Sequence, residues 1–109
     1  MTPTLPELLT RYYAAANAHD ADATIALFAE DAVVKDEQKE VRGREAIRAW
    51  IAETTTKYGP IAVEPTDVAE RGRTTVVTSI VSGDFKGSPA TLHYTFFVDS
   101  KRIARLEIA

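Results

Sequence analysis

The order of hydrophobic patterns along the chain constrains its fold more than any other feature. Near the N-terminus, Leu5, Leu8, Leu9 and Tyr12 recur at helical spacing and form one apolar stripe. From Ile61 onward the chain is instead rich in Val, Thr and Ile, which is typical of strands. Helices grouped before strands predict an α+β domain with an antiparallel sheet. Any functional pocket is expected between these two layers.

Three helices are predicted in the first part of the chain. The first begins with a capping-box pattern at Thr4 and continues for about four turns. A shorter second helix starts after Asp20 or Asp22 and carries Phe28. The third follows a glycine and ends at Gly59, which is followed by a proline.

Six strands are predicted, the first two as a hairpin between the second and third helices. The strands cover residues 32–36, 39–42, 61–69, 73–85, 91–98 and 102–108. Pro65 cannot donate a hydrogen bond within a sheet, so it indicates an edge strand or a bulge. No repeat or long linker divides the chain, and one domain over residues 1–109 is expected.

Composition excludes several classes of function. The net charge of −3 offers no basic surface for nucleic acid. The lack of cysteine excludes disulfides, thiolate catalysis and cysteine-bound zinc. With two histidines in all, a multi-histidine metal site is not expected, and neither is a cofactor. No apolar run approaches the roughly 20 residues that cross a membrane, and no signal-peptide pattern is present, so a soluble, cytoplasmic protein is expected.

Two aromatic residues of the helices could face a pocket. Tyr12 lies within the first helix's apolar stripe, where its ring would be buried and its hydroxyl would need a partner. A packing role explains Tyr12 as well as a hydrogen-bond donor role does. Trp50, the single tryptophan, is on the apolar face of the third helix and fits either the core or a pocket wall.

Asp36 ends the first predicted strand on the same face as Ala32 and Val34. Burial on an apolar face would raise the pKa of its carboxyl group and suit it to act as a general base. A turn aspartate at the end of a strand is an equally common explanation.

His93 lies on the strand predicted over 91–98. Alternation places it on one face with Thr95 and Phe97, opposite a more apolar face with Leu92 and Tyr94. Taken alone, this alternation points the more apolar face inward and leaves His93 exposed. A single histidine on a strand usually has a structural role.

Four segments together resemble the SnoaL-like and ketosteroid-isomerase-like branch of the nuclear transport factor 2-like superfamily. They are RYYAAANAHD at 11–20, IALFAEDAVVKD at 25–36, GREAIR at 43–48 and LHYTFF at 92–97. The resemblance implies a cone in which three N-terminal helices pack in a strongly curved, mostly antiparallel sheet. In such cones the concave face lines a pocket and the convex face packs against a second subunit. The resemblance thus implies that His93 faces the pocket, and that a homodimer forms through Leu92, Tyr94, Phe96 and Val98.

The resemblance also implies roles for individual residues. Tyr12 takes the position of a tyrosine hydrogen-bond donor, Asp36 that of the base, and His93 that of a second, acidic donor. Glu37 follows the base where the isomerases have proline. The residues expected to contact a ligand are Phe28, Trp50, Thr95 and Phe97.

This set implies a cofactor-independent isomerase, cyclase or dehydratase that acts on a small, mostly apolar carbonyl compound. Because histidine replaces the isomerases' protonated acid, a steroid is not the expected substrate. The alternative is a non-catalytic module of the same fold that binds a small ligand or only dimerises.

Overall fold

The computed structural model describes residues 3–109, and its elements follow the predicted order. They are α1 (Glu7–Asn17), α2 (Ala21–Ile25), β1 (Phe28–Asp36), β2 (Lys39–Arg42), α3 (Arg44–Tyr58), β3 (Ile61–Arg71), β4 (Thr74–Gly83), β5 (Ala90–Asp99) and β6 (Arg102–Ile108). No helix within these residues is long and apolar enough to cross a membrane.

Helix α1 begins at Glu7, so the predicted capping box at Thr4 is wrong. Pro6 is the N-cap, with φ −53° and ψ 147°, and no side chain caps the helix. The ring of Pro6 disfavours a helical conformation for the preceding Leu5, so the helix cannot start earlier. The Glu7 carboxylate instead accepts a hydrogen bond from Arg11 one turn later, at 2.8 Å.

Helix α2 is shorter than predicted and does not include Phe28. The Asp20 side chain caps it by accepting a hydrogen bond from the backbone N–H of Ala23 at 3.0 Å, as predicted. The chain then leaves the helix, because the Leu27 carbonyl accepts a hydrogen bond from the N–H of Ile103 in β6. Phe28 therefore starts β1, and its side chain is fully buried.

The six strands form one curved sheet in the order β2-β1-β6-β5-β4-β3. All neighbouring strands are antiparallel except β1 and β6, which pair in parallel. Strand β3 lies at an edge and its register shifts between Pro65 and Asp67, which confirms the interpretation of that proline. The helices pack within the curve of the sheet, and the predicted α+β cone is confirmed.

Strand register reverses the predicted faces of β5. Asp36 pairs with Ile108 of β6, and Ile108 pairs with Tyr94 of β5. Paired residues on neighbouring strands share a face, so Tyr94 lies on the same inner face as Asp36. Tyr94 is 5% exposed and Phe96 is fully buried, whereas His93 is exposed on the outer face.

Two expectations that came from the resemblance are therefore wrong. His93, Thr95 and Phe97 lie on the outer face and do not line the cone. Leu92, Tyr94 and Phe96 lie on the inner face of the sheet. Val98 comes after a bulge and pairs with Ile103, which is buried. These four residues therefore cannot form a convex interface. The physical reason is that the more apolar face of β5 packs on α1, as its alternation alone indicated.

Helix α1 provides the centre of the core. Leu9 is fully buried, and the rings of Tyr12 and Tyr13 pack on Phe96 with centroids 5.2 and 6.2 Å away. The Tyr13 hydroxyl and the Ser79 hydroxyl share a buried hydrogen bond of 2.7 Å. This hydrogen bond satisfies both buried hydroxyls and helps to hold α1 against the inner face of the sheet.

The last residue of α1 fixes the helix to the edge strand. The Asn17 amide donates a hydrogen bond to the Val63 carbonyl at 2.9 Å and accepts one from the Val63 N–H at 2.7 Å. One side chain thereby satisfies both backbone groups that Val63 presents outward from the sheet edge.

The corrected faces of β5 predict that substitutions at Phe96 and at His93 lower the free energy of unfolding by different amounts. Phe96→Ala should lower the free energy of unfolding by about 3–5 kcal/mol, because it empties a fully buried site. His93→Ala should cost much less, because the side chain is exposed on the surface of the single chain. Urea denaturation at a fixed protein concentration measures both values. A loss in His93→Ala as large as that in Phe96→Ala would contradict the assignment of the faces.

Candidate active site

A cavity of about 510 Å³ lies between the helices and the inner face of the sheet. All three helices contribute to its wall, together with five strands and the loop between β4 and β5. Most of the wall is apolar, including Ala15, Ile51, Val63, Val81, Leu92 and Ile108. A cavity of this size and lining is suited to a small apolar molecule, with few polar groups to orient it.

Asp36 places a carboxylate on this apolar wall. It is half-buried at the end of β1, and its Oδ2 accepts a hydrogen bond from Trp50 Nε1 at 3.1 Å. Burial raises the pKa of the Asp36 carboxyl group, the Trp50 hydrogen bond acts in the opposite direction, and the charge of Glu37 raises it. A carboxylate whose pKa is moved towards neutrality is suited to accept and return a proton.

Two tyrosine hydroxyls share the cavity with Asp36. The rings of Tyr12 and Tyr94 lie 6.5 Å apart, and neither hydroxyl has a protein hydrogen-bond partner among residues 3–109. No fully buried side-chain oxygen or nitrogen in this part of the chain lacks a partner. Both hydroxyls are therefore open to the cavity.

Both phenols remain protonated at neutral pH. Burial is the largest cause that raises the pKa of Tyr12 and of Tyr94, and the negative charge of Asp36 raises both further. The two tyrosines line the same cavity as Asp36. Together they can donate two hydrogen bonds to an oxygen that gains negative charge.

The structure brings together only some of the predicted site residues. Tyr12, Asp36 and Trp50 line one cavity. Phe28 lies beneath the Tyr12 ring, with centroids 6.2 Å apart, and does not line the cavity. Sequence analysis missed Tyr94, although its position on the more apolar face of β5 was a usable signal.

A group of polar side chains stands at the mouth of the cavity, and we call Glu37, Lys57 and Tyr58 the mouth cluster. The Glu37 carboxylate accepts hydrogen bonds from the Tyr58 hydroxyl and from Lys57 Nζ, the latter at 2.9 Å. These two bonds lower the pKa of Glu37, so its carboxylate stays charged. The Tyr58 ring also packs edge-on against Phe85 of the β4–β5 loop, with centroids 5.5 Å apart.

Comparison with known proteins gives consistent results. The family model described as SnoaL-like domain matches residues 9–105. A crystal structure of a candidate polyketide cyclase from Sinorhizobium meliloti is 39% identical, covers 96% of this chain and 95% of its own, and superposes with a TM-score of 0.92. The search of curated proteins found no match.

Two more distant structures show the same fold. A hypothetical protein with a ketosteroid isomerase-like fold from Catenulispora acidiphila is 24% identical over 97% of this chain and 86% of its own, with a TM-score of 0.85. An NTF2-like protein of unknown function from Cytophaga hutchinsonii is 13% identical over 100% of this chain and 93% of its own, with a TM-score of 0.78.

The environment of Asp36 predicts that removing its charge stabilises the fold. Its folded-state pKa is raised, so its contribution to stability is present below the unfolded-state pKa of about 3.9 and is lost as pH rises through the folded-state value. Asp36→Asn should therefore raise Tm at about pH 8 and leave it unchanged at about pH 3. The matched control is Asp31→Asn, an exposed site on the same strand, for which no such gain is expected. Equal behaviour of the two variants in thermal denaturation would contradict the prediction.

Proposed function

The chain belongs to the SnoaL-like domain family, and from this membership we propose that it is a cofactor-independent acid–base enzyme acting on a small, mostly apolar carbonyl compound. In this proposal Asp36 is the base, and Tyr12 and Tyr94 are the hydrogen-bond donors. The observation that carries the proposal is the convergence of one half-buried carboxylate and two open phenols on the same apolar cavity. The candidate polyketide cyclase at 39% identity adds support for a cyclase or isomerase type of reaction.

The proposed reaction begins with proton transfer to Asp36. Its carboxylate removes a proton from the carbon beside the substrate carbonyl, and the C–H electron pair becomes the C=C bond of an enolate. The carbonyl oxygen takes up the negative charge and accepts hydrogen bonds from Tyr12 and Tyr94. Return of the proton to a different carbon completes an isomerisation. Attack of the enolate carbon on a second carbonyl of the same molecule closes a ring instead: the π electrons of that carbonyl form an alkoxide, which takes back the proton from Asp36.

Trp50 has a positioning role in this proposal. Its indole N–H donates a hydrogen bond to Oδ2 of Asp36 and so helps to fix the orientation of the carboxylate. The hydrogen bond also stabilises the charged carboxylate on a wall that otherwise disfavours it. The net effect is a raised pKa, which makes the Asp36 carboxylate more basic than an exposed aspartate.

The non-catalytic alternative is less well supported. It would be favoured if Asp36 faced solvent or were held outside by an ion pair with Lys35 or Arg42. Within residues 3–109 no such ion pair forms: Arg42 donates to the Asp31 carbonyl at 3.4 Å, and the Asp36 carboxylate is held by Trp50.

Activity should depend on the inner face of β5 and not on its outer face. Against β,γ-unsaturated ketones and polyketide-like diketones, Asp36→Asn should lower kcat/KM by about 10²–10⁴-fold, because the base is lost. Tyr94→Phe should lower kcat by about 10²–10³-fold, because one oxyanion donor is lost. Steady-state kinetics with purified protein measures both effects.

His93→Gln is the matched control for Tyr94→Phe, since the two residues are neighbours on opposite faces of one strand. We expect the control to turn over substrate at the wild-type rate. Turnover that survives Asp36→Asn unchanged would rule out the mechanism. A loss of turnover in His93→Gln with none in Tyr94→Phe would indicate that His93, and not Tyr94, faces the cavity.

We further propose that the protein is a homodimer, formed through the outer face of β4 and β5. This face carries three half-exposed apolar side chains, Val76, Ile80 and Phe97. They stand among threonines on two strands that each have a neighbouring strand on both sides. Burying such a surface against a second copy is favourable, since it removes apolar area from water.

The proposed interface predicts that one charge at its centre separates the subunits. Val76→Lys should give a monomer in light scattering at concentrations where the wild-type protein is a dimer, because a lysine would be buried without a partner. Thr10→Lys on the exposed side of α1 adds the same charge elsewhere and should leave the dimer intact. A wild-type monomer at high concentration would rule out the proposal.

A further inference from the structure

The turn that follows Asp36 has an unfavourable backbone conformation. Glu37 and Gln38 connect β1 to β2 with φ of +52° and +65°. Two-residue hairpin turns of this kind favour Asn-Gly, and a residue with a larger side chain pays about 1–2 kcal/mol in the left-handed region. Ser100 and Lys101 adopt the same conformation in the β5–β6 turn, with φ of +51° and +63°, so what sets the Glu37–Gln38 turn apart is the contacts made to it and not its backbone.

Helix α3 contacts the end of β1 and this turn through one face. Trp50 binds the Asp36 carboxylate, and seven and eight residues later Lys57 and Tyr58 bind the Glu37 carboxylate. Positions separated by seven or eight residues lie on the same side of a helix. One face of α3 thus holds two consecutive residues at the end of β1.

We propose that the mouth cluster is a positioning device that fixes the β1–β2 turn and thereby keeps the Asp36 carboxylate on Trp50 and directed into the cavity. The inference rests on the proposed function, for which it supplies the means of orienting the base.

A solvated ion pair is the simpler explanation of the cluster. The side chains of Lys57 and Glu37 are 61% and 50% exposed, and such pairs contribute little to global stability. The contact with Glu37, the residue next to Asp36, and the added Tyr58 bond distinguish this cluster from the Lys39–Glu53 pair, which joins the same hairpin to α3 at 3.5 Å without either feature. The expected effect is therefore local, on Asp36, and not on the unfolding of the whole domain.

The single tryptophan provides a direct measurement. The Trp50 indole gives the only Nε1–H signal in a ¹H–¹⁵N spectrum of this chain, and its shift should report both the bond to Asp36 and the ionisation of that carboxyl group. The charged groups that influence this carboxyl are Glu37 and Lys57, and Tyr12 and Tyr94 are titratable groups that line the same cavity. A pH titration of the wild-type protein gives the reference midpoint and amplitude.

Tyr58→Phe separates positioning from charge, because it removes a hydrogen bond without changing any charge at neutral pH. We expect the indole signal to move towards the position of an unbonded tryptophan and to lose titration amplitude. Lys57→Met should add to this loss, and Lys57→Arg, which keeps the ion pair, should restore the wild-type spectrum. Lys39→Met is the matched control and should leave the signal unchanged.

Each outcome decides the inference. A wild-type indole signal and titration in the Tyr58→Phe/Lys57→Met double variant would overturn it, as would a wild-type indole that does not titrate. An equal change in Lys39→Met would also overturn it, since any contact between hairpin and helix would then suffice. Failure of the proposed function is distinguishable, because it would appear as absent turnover in a wild-type protein whose indole behaves as expected.

Discussion

The parallel pairing of β1 with β6 puts Asp36 beside Ile108, and the antiparallel pairing of β6 with β5 puts Ile108 beside Tyr94. These two pairings place a carboxylate and a phenol on one face, with backbones about 9–10 Å apart across two strand spacings. A shift of one residue in either pairing would turn one of the two away from the cavity. The candidate site depends on this register more than on any single contact.

Helix α3 stabilises the charge of Asp36 at the position on the apolar wall where the strand register places it. An ionised carboxylate on an apolar wall loses hydration, and only a hydrogen bond from a well-placed donor compensates for part of that loss. Trp50 is such a donor, and its large ring also forms part of the apolar wall. The same residue therefore both desolvates the carboxylate and stabilises its charge, which makes the basicity of Asp36 sensitive to small movements of the helix.

The sequence predicted the order of elements because periodicity and turn residues act locally, as with the Asp20 cap and the bulge at Pro65. Tyr12 and Asp36 could be proposed from the resemblance, but the face of His93 could not. A family-level correspondence is uncertain by one position in a strand, and one position is enough to exchange the inner and outer faces. Alternation along β5 carried the correct information for Tyr94. The bond between Trp50 and Asp36 and the mouth cluster depend on how α3 lies over the hairpin, which no local pattern determines.

The hydrogen bonds from Asn17 to Val63 have a consequence for how copies of this chain can meet. Strand β3 ends the sheet, and an unpaired edge is a template for strand addition and aggregation. With its N–H and C=O both held by Asn17, Val63 cannot accept a strand from another chain. Pro65, two residues later, has no N–H to offer at the next such position. The edge is thus closed to continuation of the sheet from Val63 to Pro65, the stretch that lies beside the end of α1.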